Sequence, residues 1–175
     1  KDRKIIGYSD PAYRFSIQNS FRYKNWEFKF MINSVQGGKN YYYGQPGKDL
    51  ANPDNIYQNN LFNFDYWTPE NPNSNIPAAT NSSSNLVISS RVVEDASFLR
   101  LKTVTLGYTV PKTFLKKYKI DNARLYVAAQ NLWTITGYSG YDPEVSIRSG
   151  GLTPGLDFSS YPRALSVSFG INLGF

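Results

Sequence analysis

The chain has 175 residues, enough for one domain with a core, and a net charge of +6. It contains neither Cys nor His, which excludes disulfide scaffolds, thiol nucleophiles, the Ser-His-Asp triad and zinc sites built on thiolate or imidazole. Aromatic residues make up 16% of the chain, and rings favour half-buried strands, so the composition indicates an all-β fold. No apolar run is long enough for a membrane-spanning helix, but a membrane β-barrel is compatible with this composition.

Alternation of apolar and polar residues predicts five strands along the chain. The first two, at about 12–22 and 24–35, flank a tight hairpin at Tyr23-Lys24-Asn25. The third, at about 97–110, reverses its phase near Lys102, which predicts a β-bulge there. A fourth strand at about 122–134 alternates less regularly, and a fifth at about 161–175 has one apolar face up to Phe175.

The links between these strands alternate between short and long. The hairpin is short, and so is the basic link at about 111–121, in which we expect one helical turn. The links at about 36–96 and 135–160 are long and rich in Asn, Gly, Pro, Ser and Tyr. In an antiparallel sheet all short links therefore lie at one end, which is typical of outer-membrane barrels with short periplasmic turns and long external loops.

The polar face of each strand indicates contact with water rather than with a second hydrophobic layer. Its residues are mostly Ser, Gly, Asn, Gln, Arg and Glu, as the lumen of a barrel requires. Five strands leave two open edges, which lipid does not tolerate, so a membrane sheet must extend beyond this chain. The alternative is a soluble, secreted glycan-binding β-sandwich module, which would bury one strand face against a second sheet.

A series of motifs, in order along the chain, carries a resemblance to a known family. They are Tyr23-Lys24-Asn25-Trp26, Gly37-Gly38-Lys39, Trp67-Thr68-Pro69-Glu70-Asn71-Pro72, residues 96–108, 125–133 and 136–144, and Tyr161-Pro162. With them the chain resembles the C-terminal part of the SusC/RagA family of TonB-dependent outer-membrane transporters of Bacteroidetes-type bacteria. The end of the chain also resembles the assembly signal of outer-membrane barrels, through Ser168, Gly170, Leu173 and Phe175.

This resemblance implies that the chain is an antiparallel transmembrane β-barrel segment with long extracellular loops, the last five strands of a 22-stranded barrel. It implies a location in the outer membrane of a Gram-negative bacterium and contact with outer-membrane lipid. The implied partners are a SusD-like surface lipoprotein, TonB through an N-terminal part that this chain lacks, and a glycan or oligopeptide as cargo. We expect neither enzyme activity nor a cofactor or metal.

Candidate ligand contacts lie on the long loops, where aromatic faces adjoin hydrogen-bonding groups, a mixture that suits sugars. They are Asn63, Asp65, Tyr66 and Trp67 in the first loop and Tyr138, Tyr141 and Asp142 in the second. The alternative is that these residues stabilise the loops themselves. Aromatic residues near the predicted strand ends fit either an aromatic girdle or ordinary strand packing; they are Tyr13, Tyr23, Trp26, Trp133 and Tyr161.

Other functions are disfavoured by the spacing of the charged residues. Asp142 and Glu144 are paired carboxylates, but they lie on one loop with no further acid placed to oppose them, so a glycosidase is not expected. The run that begins at Asn71 lacks the sixth-position Gly and twelfth-position Glu of a calcium loop. Positive charge is concentrated between Lys112 and Arg124 rather than along an aromatic strand face, which disfavours nucleic acid as a partner.

Overall fold

The computed structural model of the chain describes residues 4–42, 67–74, 78, 90–144, 155–157 and 161–175. The strands and the helix are β1 (Tyr13–Tyr23), β2 (Trp26–Gln36), β3 (Lys39–Tyr42), β4 (Val93–Asp95), β5 (Phe98–Thr109), α1 (Lys112–Leu115), β6 (Asn122–Thr136), β7 (Leu156–Asp157) and β8 (Ser166–Gly174). Single 3-10 turns lie at Ser90–Val92 and Lys116–Tyr118. None of the helices in these ranges is long and apolar enough to cross a membrane. The described part of the chain is therefore built mainly from strands, as the composition indicates.

Contacts divide the chain into two compact units. The strand unit comprises residues 11–36, 97–137 and 163–175, and the loop unit comprises residues 1–10, 37–96 and 138–162. The strand unit holds one antiparallel sheet in the order β1-β2-β5-β6-β8. The sheet is open, with β1 and β8 as its edges.

The strands of this sheet follow the predicted alternation closely, with one difference at the end of the chain. β1, β2, β5 and β6 lie where the period of two predicts strands, and the link after β5 contains the expected helical turn. The last strand, however, begins at Ser166, and residues 161–165 have no regular structure. Pro162 has no backbone N–H to donate to a strand ladder, which explains why the apolar alternation around it does not pair.

A β-bulge interrupts the register around Lys102. Met31 pairs with Thr103, but the next residue, Ile32, pairs with Leu101, so β5 contains one extra residue opposite β2. The extra residue explains why the apolar positions of β5 change from odd to even numbers along the strand. The bulge predicted from the phase reversal is confirmed.

The irregularity continues into β6. Asn131 and Leu132 lie opposite the single residue between Leu101 and Thr103. Asn131 has a φ of 51°, a left-handed conformation that Asn adopts more readily than most residues. Its side-chain amide donates a hydrogen bond to the backbone carbonyl of Ala164 at 3.0 Å. This bond holds the segment that precedes β8 against β6.

One face of the sheet is apolar and exposed. Its exposed side chains include Phe15, Ile17, Phe21, Trp26, Phe28, Leu106, Leu125, Val167, Phe169 and Ile171. A soluble sheet would cover such a face with another layer, and a continuous exposed apolar surface marks contact with a partner or with a membrane.

The loop unit contains a small sheet of its own, in the order β4-β3-β7. β3 runs antiparallel to β4 and parallel to β7. The three strands come from segments far apart in the sequence, so described parts of the long links, interpreted as loops from their composition, pair in a regular sheet.

Candidate functional site

The candidate contacts of the first long loop are described only in part. Asn63, Asp65 and Tyr66 lie outside the described residues. Trp67 is half-exposed and precedes a tight turn in which the backbone N–H of Asn71 donates to the carbonyl of Thr68 at 2.9 Å and to its Oγ1 at 3.1 Å. The Thr-Pro sequence therefore forms a local turn, and Trp67 remains accessible beside it.

The three candidates of the second loop differ in exposure. Tyr138 is 6% exposed and Asp142 is buried, whereas Tyr141 is 72% exposed. The Oδ1 atom of Asp142 accepts a hydrogen bond from the backbone N–H of Glu144 at 2.9 Å, which forms an Asx turn around Pro143. Tyr138 and Asp142 thus stabilise the loop unit, and Tyr141 is the residue of this group that a ligand can reach.

Tyr138 lies in a buried polar cluster. Its hydroxyl donates a hydrogen bond to Oδ2 of the buried Asp157 at 2.7 Å, and its ring centroid is 5.5 Å from that of Tyr42. Beside it, the side-chain amide of Asn40 donates to the carbonyl of Pro143 at 3.0 Å. Burial raises the pKa of Tyr138 well above its usual range, and the hydrogen bond to the Asp157 carboxylate raises it further. The hydroxyl therefore remains a donor under all ordinary conditions.

Two further contacts hold the small sheet of the loop unit together. The backbone N–H and the hydroxyl of Ser139 donate to the two carboxylate oxygens of Glu94 at 2.9 and 2.7 Å. The backbone N–H of Tyr41 donates to the carbonyl of Gly155 at 2.6 Å. Gly155 has a φ of +79°, and a Cβ there would lie 2.9 Å from the carbonyl oxygen of Lys39, so this close approach requires glycine.

The polar face of the strand unit carries a charge cluster near the short turns. The Oε1 atom of Glu27 accepts from Nη2 of Arg22 at 2.9 Å and lies 3.1 Å from Nζ of Lys29. Its Oε2 atom accepts from Nη2 of Arg124 at 2.6 Å. Three cations surround one carboxylate, so the cluster retains a positive surplus. A charged face opposite an apolar face is the arrangement that a water-filled lumen requires.

Two glycines on this face make room for long side chains of β6. Arg124 crosses β5 over Gly107, where an added Cβ would lie 2.7 Å from Nη2 of the arginine. Tyr126 pairs with Gly170 of β8, and a Cβ at Gly170 would overlap the tyrosine ring. These glycines therefore allow side chains to lie flat across neighbouring strands.

Sequence reasoning missed the cluster around Glu27. The hairpin register could have placed Arg22 opposite Glu27, since the two pair across the turn. The contribution of Arg124 depends on the register of two further strands and on the space above Gly107, for which the sequence alone carries no signal.

Exposed aromatic side chains lie at both ends of the apolar face. Tyr23 and Trp26 lie at the short-turn end, and Tyr13 and Trp133 lie toward the other end. Tyr161 is also exposed but belongs to the loop unit. Ten residue steps separate Tyr13 from Tyr23, about 33 Å along a strand. With a tilt of about 40° this corresponds to a height of about 25 Å, the height of the apolar band of a membrane barrel.

β8 carries Ser168, Gly170 and Leu173 of the assembly-signal pattern, and Phe175 follows the strand directly. Ser168 and Gly170 lie on its polar face, whereas Leu173 and Phe175 follow the alternation of the apolar face and are exposed. The role of these four residues as an assembly signal stays a prediction. In the described residues, no group of three His, Cys, Asp or Glu side chains is arranged to hold a metal ion.

No protein-family model matches the chain, but individual proteins resemble it along nearly its whole length. The chain is 35% identical over 99% of its length to TonB-dependent receptor P3 of Formosa agariphila, and 29% identical over 96% to TonB-dependent receptor SusC of Bacteroides thetaiotaomicron. It matches a chain in the structure of the RagAB peptide importer in the 'closed-closed' state with a TM-score of 0.77, 25% identity and 98% coverage. The match to a chain in a structure of the RagAB peptide transporter has a TM-score of 0.76 and 26% identity.

The chain spans only 17% of receptor P3, 16% of SusC and 18% of the matched RagAB chain. Together with the antiparallel sheet and its exposed apolar face, these similarities place the chain among the TonB-dependent receptors. Within that class, it belongs to the SusC/RagA family.

Proposed function

We propose that the chain forms part of the wall of an outer-membrane β-barrel that imports nutrients. The observation that supports this most strongly is the division of one sheet into an exposed apolar face and a polar face with the Glu27 cluster. Lipid covers the first face in this proposal, and the second lines the lumen. The relatives are named as receptors, importers and transporters, which also supports transport rather than enzyme activity.

The open edges of the sheet support the proposal that the barrel is completed by strands outside this chain. β1 and β8 each present one unpaired side of a ladder, and unpaired backbone groups are too costly to leave in lipid. We propose that these edges pair with other strands of the same protein, to a total of 22. The TonB contact and a SusD-like lipoprotein partner belong to that larger protein.

The cargo we propose is a glycan or an oligopeptide. RagAB is described as a peptide importer, which favours a peptide, while the aromatic side chains of the loop unit suit sugars equally well. Trp67 and Tyr141 are the candidate contacts with accessible side chains. Asn63, Asp65 and Tyr66 are retained as candidates from the sequence.

The soluble glycan-binding sandwich is the weaker alternative. It requires a second layer over the apolar face of the sheet, but many large side chains of that face are exposed in the described strands and the others are partly exposed.

The test uses the full-length product of the gene. We expect it to be about six times the length of this chain, because the matched receptor is covered over only 17% of its length. It should fractionate with the outer membrane and migrate faster on gels when unboiled, and deleting its gene should abolish growth on the imported glycan or peptide. A soluble product of about 20 kDa would refute the proposal.

Individual loop contacts can be tested in the same strain. Trp67→Ala and Tyr141→Ala should each weaken uptake at limiting cargo concentration, while Tyr8→Ala, which removes an equally exposed tyrosine outside the candidate contacts, should not. Unchanged uptake in both loop variants would remove these residues from the cargo site.

A further inference from the structure

The link between β5 and β6 presents exposed aromatic and basic side chains together. Phe114 and Tyr118 are 70% and 68% exposed. They are four residues apart in a continuous helical segment, so they lie on neighbouring positions of one side. Neither ring contacts another aromatic ring among the described residues. Two large apolar groups are therefore presented to the surroundings at the tip of a turn.

The same turn is strongly basic. Its four lysines are all exposed, and none of their ammonium groups forms an ion pair within the described part of the chain; they are Lys112, Lys116, Lys117 and Lys119. Asp121 is the single acid between Val110 and the start of β6. This combination of unneutralised lysines and exposed rings is typical of segments that lie in a lipid interface, where the rings enter the head-group region and the cations bind phosphate.

The turn is fixed in place rather than loosely attached. Leu115, between the two exposed aromatic residues, is 6% exposed, and the backbone N–H of Ile120 donates to its carbonyl at 3.4 Å. The backbone N–H of Asp121 donates to the carbonyl of Gly174 at 2.8 Å, which joins the turn to the end of β8. Phe114 and Tyr118 are thus held outward by a structure that buries Leu115, which lies between them in the sequence.

The position of the turn points to the same interface. Tyr108 lies near the end of β5, with its ring centroid 4.7 Å from that of Trp26 on the exposed apolar face. The backbone N–H of Thr109 donates to the carbonyl of Asn25, so the two short turns meet at this end of the sheet. Lys24 of the hairpin adds another exposed lysine there. The basic turn therefore follows directly after the aromatic end of the apolar face.

We propose that the turn from Lys112 to Lys119 binds anionic phospholipid head groups of the leaflet next to the short turns. The lysines bind the phosphates, and Phe114 and Tyr118 insert at the boundary between the head groups and the acyl chains. This inference rests on the proposed function, because it requires the sheet to span the outer membrane with its short turns on the periplasmic side.

The test is lipid binding by the purified full-length protein, measured by native mass spectrometry with phosphatidylglycerol and phosphatidylcholine as probes. We expect wild type to prefer phosphatidylglycerol. Replacing the four lysines with Gln should weaken phosphatidylglycerol binding at least tenfold, since one lysine near a lipid surface contributes about fivefold. Replacing them with Arg, the matched control, should retain binding within about twofold because the charge is kept.

Salt and the aromatic residues give two independent readings. Raising the ionic strength from about 0.15 to 1 M shortens the screening length from about 8 to 3 Å, so the difference between wild type and the Gln variant should disappear. A photocrosslinking amino acid at position 114 should attach to lipid in vesicles of phosphatidylglycerol and phosphatidylcholine, while the same group at Tyr141 in the loop unit should not.

Equal binding of the two lipids by wild type, or equal phosphatidylglycerol binding by wild type and the Gln variant, would overturn the proposal. Crosslinking of position 114 to a protein instead of lipid would also overturn it and would identify a protein contact. In each of these cases the protein would still be found in the outer membrane and would still import cargo. Failure of the proposed function is distinguished by the absence of the full-length protein from that membrane.

Discussion

The hydrogen bond between Tyr138 and Asp157 leads to a specific expectation for the stability of the loop unit. Tyr138→Phe removes one hydroxyl, with little change of shape, from beside a carboxylate that is buried and 2.7 Å away. Hydrogen bonds to charged groups contribute about 1.5–3 kcal/mol. The substitution should therefore raise the local opening constant of the loop unit about 10- to 150-fold, since 1.4 kcal/mol corresponds to tenfold.

Hydrogen–deuterium exchange of the full-length protein measures this opening directly. The backbone N–H groups of Tyr41 and Ala96 are suitable reporters, because they donate to the carbonyls of Gly155 and Gly38 within the loop unit. In Tyr138→Phe they should exchange at least tenfold faster. Tyr141→Phe is the matched control, since the hydroxyl it removes belongs to a side chain that is 72% exposed, and its exchange should match wild type. Equal exchange in wild type and Tyr138→Phe would show that the hydrogen bond does not stabilise the unit.

The raised pKa of Tyr138 gives the same bond a characteristic pH dependence. The folded state holds this proton more tightly than the unfolded state does. Its contribution to stability is therefore fully present below about pH 10, the usual tyrosine pKa, and is lost as the pH rises through the folded-state pKa. Ultraviolet titration of wild type minus Tyr138→Phe should show no tyrosinate from this residue at pH 10, where an ordinary tyrosine is half ionised.

Two further substitutions test the packing of the strand unit. Gly107→Ala should displace Arg124 and lower the apparent unfolding temperature of the full-length protein in detergent about as much as Arg124→Gln does, with no further loss in the double variant. Gly137→Ala, where a Cβ meets nothing within 4 Å, should be neutral. Additive losses in the double variant would contradict the conclusion that Gly107 makes room for Arg124. Leu115→Ala should cost about 2–3 kcal/mol of stability because it empties a buried position. Phe114→Ala should leave the unfolding temperature in detergent unchanged, because its side chain is exposed. Equal effects of the two substitutions would refute the assignment of Leu115 to the buried side of the turn and Phe114 to the exposed side.

The strands were predictable because their signal is local. Alternation depends only on neighbouring residues. It is clear in a sheet with one apolar and one polar face, whereas strands buried on both faces are apolar at consecutive positions. Even the bulge was predictable, because Leu99 and Leu101 fall on odd positions while Val104 and Leu106 fall on even ones. The exception is the start of the last strand. The alternation extends back to Tyr161, but Pro162 cannot donate to a ladder, and the strand begins only at Ser166.

The loop unit and the charge cluster were not predictable, because both depend on residues far apart in the sequence. β3 and β7 pair in parallel across more than a hundred residues, and no local period marks such a pairing. The motif Tyr141-Asp142-Pro143 reads the same whether Asp142 faces a ligand or forms an Asx turn, and only the structure shows the turn. Glu27 likewise gains its third partner, Arg124, from a strand two positions away in the sheet.

The extra residue at Lys102 also determines which length changes this strand tolerates. Deleting Lys102 alone would remove the bulge opposite β2, because Leu101 and Thr103 already pair with the adjacent residues Ile32 and Met31. Leu99 and Leu101 would stay on the apolar side and the buried Arg100 on the polar side. Deleting two adjacent residues of β5 would shorten the strand but leave every remaining side chain on its present face. Natural variation in the length of this strand is therefore expected in steps of two, with single-residue changes confined to the bulge and to the links at the strand's ends.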